Sequence, residues 1–318
     1  MVSSPHSGRL YPSNFREIAR ISVDSLRLSE DRFVDLLVED IPALGVPVLA
    51  ANFPRSFVDL NRSPRDLDPE LISGLSTTLT KGLMSPRVRQ GLGVVPRVAA
   101  NGAEIYSQFL SIADARRRLL SYYFPYHKML RTLLSSTCDN FGFAVLFDIH
   151  SMPSRSVNIS GNTPRTVVLG NAFGSSAPAY LTDMAMKIFR GLGYQVLRND
   201  PYSGGFITQH YGQVDRGVFV LQVEICRAAY MDEETLRPWN DFAGVKRDLA
   251  QFVVDFAESL PLRQAAVYFK LAHVLDFGFR QEPRQPVPIL LPRADFPGYG
   301  RISEALFRVL LLHARFFL

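Results

Sequence analysis

Residues 143–151 read Phe-Ala-Val-Leu-Phe-Asp-Ile-His-Ser, and this stretch is the most informative about the fold. An unbroken apolar run from Phe143 to Phe147 is typical of a strand that is buried on both faces of a sheet. The run leads directly into Asp148 and His150, two side chains that can carry chemistry. In open α/β sheets, ligands bind at the carboxyl ends of the parallel strands. The stretch therefore predicts a buried strand and a functional site at its end.

Apolar runs and helical patterns alternate through the rest of the chain. We predict further strands at residues 46–51, 166–169, 194–197 and 217–224, and helices at residues 30–39, 111–135, 179–192 and 241–259. This alternation is typical of an α/β layer architecture. Only three residues precede the polar motif that starts at Ser4, so we expect no sheet strand ahead of that motif.

The composition excludes several classes of protein. The 318 residues are 47% hydrophobic and 20% charged, which is enough apolar material for a large core. The net charge of +5 is spread along the chain without a dense basic block, which argues against a nucleic-acid partner and suits a small anionic substrate. Two cysteines exclude a disulfide framework, and neither lies in a CxxC pattern. With neither a signal-peptide pattern nor a long apolar run, we expect a soluble, cytoplasmic protein without a membrane partner.

Two histidines lie in loops that are rich in small polar residues. His6 follows Ser4-Pro5, and His150 follows the buried strand. Asp148 lies two residues before His150 and therefore on the same strand face, where it could hold the imidazole ring of a metal ligand. A hydrogen-bonded histidine at a strand end explains His150 equally well, and the pattern alone does not separate the two interpretations.

Charged side chains at two further positions suggest a substrate site. Glu224 ends an apolar strand, where a carboxylate is costly unless it is paired or functional. An ion pair with Arg227 is the alternative explanation. Residues 53–62 place Arg55, Asn61 and Arg62 among apolar residues, and guanidinium groups bind carboxylates through two parallel hydrogen bonds. An ordinary solvated loop is the alternative for this segment.

Seven blocks of the sequence together resemble the N-formylglutamate amidohydrolase family, which is distantly similar to the zinc carboxypeptidases and aspartoacylase. They occur in the family's order within residues 4–260. The blocks are Ser4–Pro12, Phe53–Arg62, Val95–Gly102, Tyr122–His127, Asp148–Ser151, Gly204–Gly212, and Leu221–Glu224 followed by Tyr230–Glu233.

The resemblance implies a fold and a chemistry. The implied fold is a single α/β domain with a mixed, mostly parallel sheet and helices on both faces, as in the zinc-carboxypeptidase and phosphorylase-hydrolase folds. Residues 1–265 would form this catalytic domain, and residues 266–318 stay an unassigned C-terminal extension. The implied reaction is zinc-dependent hydrolysis of the amide bond of N-formyl-L-glutamate or a similar N-acyl amino acid.

The resemblance also assigns roles to individual residues. His6 and His150 would bind one Zn²⁺ per chain, with Asp148 behind the second ring. Glu224 would act as the general base, and Arg55 would bind the carbonyl oxygen or a second carboxylate. The residues that would bind the rest of the substrate are Asn61, Arg62, His210, Tyr211 and Arg227.

The resemblance identifies the third metal ligand less directly. The distant relatives have a glutamate three residues after the first histidine, and here that position is Arg9. The family's substitute on the next predicted helix corresponds to Asp31, with Asp35 as the competing choice and a solvated helix face as the alternative for both. His127, in a predicted helix, is expected to make a structural hydrogen bond.

Two other functions remain open at this stage. A carboxypeptidase-like or cyclic-amide hydrolase could use the same metal site. A metal-free protein that binds acidic metabolites could use the arginines alone.

Overall fold

The computed structural model describes residues 1–75, 84–157, 165–239 and 241–260. The strands of these residues are β1 (Val2–Ser4), β2 (Val48–Ala50), β3 (Ile72–Ser73), β4 (Leu110–Ser111), β5 (Ala144–Met152), β6 (Thr166–Gly170), β7 (Gln195–Arg198), β8 (Val218–Cys226), β9 (Met231–Asp232) and β10 (Arg237–Pro238). The helices are α1 (Ser13–Ile18), α2 (Val23–Arg27), α3 (Val34–Leu37), α4 (Pro86–Arg89), α5 (Ile112–Arg118), α6 (Phe124–Phe141), α7 (Ala179–Gly191), α8 (Phe206–Tyr211) and α9 (Phe242–Ser259).

Six of the strands form one sheet in the order β2-β1-β5-β8-β6-β7. Neighbouring strands run parallel except for β6 and β8, which pair antiparallel. The predicted α/β fold with a mixed, mostly parallel sheet is therefore confirmed.

Helices cover both faces of this sheet because its central strands alternate their side chains. On β5, Val145 and Phe147 belong to a core that also contains apolar residues of α3, α7 and α9. Ala144 and Leu146 belong to a second core, which contains Leu130 of α6. The predicted helices on both faces are thus present.

Three predicted elements differ from the structure. The helix predicted at residues 111–135 is divided into α5 and α6 by a π-helical turn at Leu119–Tyr123. In the helix predicted at residues 30–39, only α3 is α-helical. The expectation of no strand before Ser4 was wrong, because β1 forms and pairs with both β2 and β5. Three residues suffice here because neighbours on both sides satisfy the backbone of β1.

The described residues end at residue 260, so the predicted domain boundary at 265 and the extension at 266–318 lie outside them. No helix among the described residues is both long and apolar enough to cross a lipid bilayer.

Candidate active site

A cavity of about 940 Å³ opens where β1, β5 and β8 end. Parallel strands bring their carboxyl ends to one edge, so residues far apart in sequence meet there. His6 follows β1, His150 lies near the end of β5, and Glu224 lies opposite His150 in the register of β8. The predicted site residues that line the cavity are His6, Asp31, Arg55, Asn61, Arg62, His150, Glu224 and Arg227.

Two imidazoles and one carboxylate converge at the floor of this cavity. His6, Asp31 and His150 each offer a ligand atom, and these atoms lie within 4.8 Å of one another. Asp31 Oδ2 lies 2.8 Å from His150 Nδ1 and 3.4 Å from His6 Nδ1. All three residues are buried. Two histidines and a carboxylate are a donor set of catalytic zinc sites, which keep one position open for water.

The ionisation of this cluster follows from its contacts. Burial would raise the pKa of Asp31, but the hydrogen bond with His150 and the nearby imidazole of His6 outweigh burial and hold that pKa well below its usual value. Burial would lower the pKa of His150, but Asp148 and Asp31 outweigh it and raise that pKa well above its usual value. The metal-free cluster therefore pairs an ionised Asp31 with a protonated His150, and binding of a metal ion would release that proton.

The Nε2 atoms of the two rings are held by carboxylates, which leaves Nδ1 to face Asp31. Asp59 Oδ1 lies 2.7 Å from His6 Nε2, and Asp148 Oδ2 lies 2.9 Å from His150 Nε2. Carboxylates orient metal-binding histidines in this way. His6 Nδ1 is buried and has no hydrogen-bond partner among the described residues. Such an orphaned atom is costly, and a bound cation would satisfy it, so these residues fit a metal ion.

The structure separates the two candidate aspartates. Asp35 pairs with Arg9 at 2.5 Å, whereas Asp31 lies with the histidines. Asp31 precedes α3 and is not on a helix, because its backbone N–H donates to the carbonyl of His6 at 3.0 Å. That contact ties the loop to the end of β1, and Phe33 then adopts a left-handed conformation with φ 65° before α3 begins.

Glu224 lies beside this cluster without an ion-pair partner among the described residues. Its side chain accepts a hydrogen bond from Gln222 Nε2 at 2.9 Å. Burial raises the pKa of Glu224 to about 7. A carboxyl group whose pKa lies near neutrality can both accept and release a proton in a reaction cycle.

Arg227 does not form the ion pair with Glu224 that the sequence offered as an alternative. Its Nε donates to Ser151 Oγ at 3.1 Å, and its Nη2 lies 2.7 Å from the carbonyl oxygen of Glu30 and 3.4 Å from Asp31 Oδ1. Arg227 lines the cavity, but most of its donors are engaged with the protein. These contacts place Arg227 next to Asp31, and its role in substrate binding stays a prediction.

Two arginines form another part of the cavity wall. Arg55 Nη2 donates to Asp59 Oδ2 at 2.7 Å. Arg62 donates from Nε to the carbonyl of Leu92 at 3.1 Å and from Nη1 to the carbonyl of Asn61 at 2.9 Å. Burial lowers the pKa of Arg62. Both guanidinium groups are therefore fixed by the protein at the edge of the cavity.

Asn61 contacts both Arg62 and His150. Its Oδ1 accepts a hydrogen bond from the backbone of Ile207 at 2.7 Å, and its Nδ2 lies 3.1 Å from His150 Nε2. A side chain on Gly205 would put Cβ only 2.4 Å from the Asn61 amide, so glycine is required there. Asn61 lines the cavity with an amide whose orientation is set by α8.

His210 and Tyr211 do not line the cavity, and their role in substrate binding stays a prediction that this geometry does not support. The Tyr211 hydroxyl lies 2.9 Å from His127 Nδ1, and His127 Nε2 donates to the Leu60 carbonyl at 3.0 Å. The predicted structural hydrogen bond of His127 is thus present. His210 is exposed and stacks on Phe206. Gly204 and Gly205, just before α8, line the cavity, whereas no residue of α8 itself does.

Asp59 is the main site residue that the sequence prediction missed. It is buried and contacts His6, Arg55 and the backbone N–H of Asn61. A usable signal existed, since Asp59 lies between Val58 and Leu60, and a carboxylate in an apolar run is costly unless it is paired.

Comparisons with known proteins find similar sequences and similar folds. The model of the N-formylglutamate amidohydrolase family matches residues 1–231. The N-formylglutamate deformylase of Pseudomonas aeruginosa (PAO1) is 31% identical over 241 residues, covering 74% of this chain and 82% of the relative. That of Pseudomonas putida is 27% identical over 236 residues, covering 73% and 82%.

Solved structures extend the likeness to the fold. The N-formylglutamate amidohydrolase from Ralstonia eutropha JMP134 superposes with a TM-score of 0.71 at 32% identity, covering 85% of this chain and 94% of that one. The gene product Atu2144 from Agrobacterium tumefaciens shares the fold at a TM-score of 0.56 and 17% identity, covering 84% and 89%. The family match also includes β1, β5 and β8, whose ends carry the cavity.

Proposed function

This chain belongs to the N-formylglutamate amidohydrolase family, and we propose that it hydrolyses the amide bond of N-formyl-L-glutamate or a similar N-acyl amino acid. The products are the carboxylic acid and the free amino acid. The curated relatives are N-formylglutamate deformylases, which supports this reaction. The convergence of His6, Asp31 and His150 is the observation that carries the proposal.

We propose that one Zn²⁺ per chain is held by His6 Nδ1, Asp31 Oδ2 and His150 Nδ1. The buried, unpartnered Nδ1 of His6 supports this assignment. Bound zinc would supply Lewis acidity at the acyl oxygen and lower the pKa of a water to about 7. Asp148 would keep the His150 ring in place, and Arg227 would do the same for Asp31.

Glu224 would move the protons of the reaction. Its carboxylate takes a proton from the attacking water and then passes it to the nitrogen of the leaving amino acid. A pKa of about 7 suits both transfers at neutral pH. The buried position of Glu224 also limits competition from bulk solvent.

The cationic wall would bind the substrate. Arg55 stabilises negative charge on the carbonyl oxygen, a contribution of roughly 3–4 kcal/mol for one well-oriented donor in related chemistry. Arg62 and Asn61 hold the carboxylate of the amino acid, which fixes the amide bond against the catalytic groups. Arg62 is suited to this because two backbone carbonyls already orient its guanidinium plane.

The test combines metal analysis with product detection. We expect about one equivalent of zinc per purified chain, and release of formate from N-formyl-L-glutamate that a chelator abolishes and zinc restores. A zinc-loaded protein that hydrolyses neither N-formyl-L-glutamate nor other N-acyl amino acids would overturn the proposed reaction. A protein that binds N-formyl-L-glutamate but no zinc would support the metal-free binding protein. Cleavage of C-terminal peptide bonds in preference to N-acyl groups would support the carboxypeptidase-like alternative.

A further inference from the structure

One buried carboxylate joins the two halves of the active site. We propose that Asp59 is a positioning residue that fixes the metal-binding ring of His6 and the guanidinium of Arg55 relative to each other. This inference rests on the proposed function, in which His6 binds the metal and Arg55 stabilises the carbonyl oxygen. The substrate lies between these two groups, so their separation determines how well the reacting amide fits.

Both carboxylate oxygens of Asp59 are engaged. Oδ1 lies 2.7 Å from His6 Nε2 and 2.8 Å from the backbone nitrogen of Asn61, and Oδ2 lies 2.7 Å from Arg55 Nη2. Asp59 is 2% exposed. A charge-assisted hydrogen bond at each oxygen prevents the carboxylate from rotating without the loss of one partner.

The backbone of Asp59 is anchored as well. Its N–H donates to the carbonyl of Val94 at 2.8 Å, so the loop that follows β2 is attached to a separate segment of the chain. Gly8 brings the two loops together, because a Cβ at that position would lie 2.1 Å from the carbonyl oxygen of Phe53. The loop that carries His6 and the loop that carries Arg55 therefore pack directly, with Asp59 as the polar link.

Asp148 provides a matched control within the same site. It holds His150 as Asp59 holds His6, and its other oxygen accepts a hydrogen bond from Ser3. Among the described residues, Asp148 forms no ion pair with an arginine. Replacing either aspartate should therefore weaken the metal site. Only the replacement of Asp59 should have an effect on kcat that depends on whether Arg55 is present.

A double-mutant cycle tests the link. Asp59→Asn should weaken zinc binding by about 10- to 100-fold and, at saturating zinc, lower kcat by about 10- to 100-fold. In an Arg55→Gln background, the same substitution should still weaken zinc binding but lower kcat by less than about 3-fold, because the group it positions is gone. Asp148→Asn should lower kcat by the same factor in both backgrounds.

The outcomes separate the two levels of the proposal. If Asp59→Asn and Arg55→Gln multiply in kcat as independent substitutions do, while the wild-type chain binds zinc and hydrolyses its substrate, the link is refuted and the proposed function stands. If the wild-type chain neither binds zinc nor hydrolyses N-formyl amino acids, both fail. Should Asp59→Asn not fold, Asp59→Glu keeps the charge, shifts the carboxylate and enters the same cycle with the same expected coupling.

Discussion

Replacing Glu224 by glutamine should inactivate the enzyme and at the same time stabilise its metal-free form. The pKa of the buried carboxyl rises from 4.5 to about 7, so the folded state holds this proton more tightly than the unfolded state does. Each pKa unit corresponds to about 1.4 kcal/mol, so protonated Glu224 contributes about 3 kcal/mol to the stability of the fold. This contribution is lost as the pH rises from 4.5 to 7. Glutamine cannot ionise and keeps an oxygen that can accept the hydrogen bond from Gln222.

The measurement is urea denaturation of chelator-treated protein at several pH values. Glu224→Gln should match the wild type near pH 4 and exceed its free energy of unfolding by about 3 kcal/mol at pH 8. In the zinc-loaded protein, kcat should fall by about 10²- to 10⁴-fold while the zinc content stays at that of the wild type. Glu234→Gln, which removes an exposed carboxylate of the same cavity, should change neither quantity. A stability difference that is independent of pH would refute the account of Glu224.

Three further outcomes follow from the geometry. Asp31→Asn should lower zinc affinity by at least about 10²-fold in a metal titration, whereas Asp35→Asn should leave zinc affinity unchanged. Equal losses of affinity in the two variants would contradict the assignment of Asp31 as a ligand. Burial lowers the pKa of His127 to about 4. As the pH falls from 6.5, the unfolded state alone gains a proton, so the wild type should lose roughly 3 kcal/mol of stability by pH 4. In denaturation experiments, His127→Gln should lack this pH-dependent loss of stability. Gly205→Ala should raise KM and destabilise the fold by about 1–3 kcal/mol, because the added Cβ would clash with the Asn61 amide. Unchanged kinetics would show that this contact can relax.

The sequence predicted the elements whose pattern is local and missed those that depend on contacts far along the chain. The apolar runs of β5 and β8 are readable because a strand buried on both faces needs continuous apolar residues. The strand β1 is too short to carry a pattern and forms only because β2 and β5 flank it. The loop at Asp31 is held by a backbone hydrogen bond to His6, a partner that helical periodicity does not reveal.

The site divides in the same way. Residue types in motifs were sufficient to propose His6, His150, Glu224 and the arginines. The sequence does not predict the direction in which a helix presents its side chains. The prediction therefore gives His210 and Tyr211 a role in substrate binding, although only the residues before α8 reach the cavity. The choice between Asp31 and Asp35 likewise depended on which turn the loop takes after α2.

The alternation of side chains along β5 means that one strand register sets both the hydrophobic core and the chemistry. Ala144 and Leu146 pack in the core on the face that further along carries Asp148 and His150. A one-residue insertion in the first half of this strand would reverse every later side chain and present Ile149 to the cavity instead of the imidazole. The length of β5 is therefore constrained by the core and by the site together.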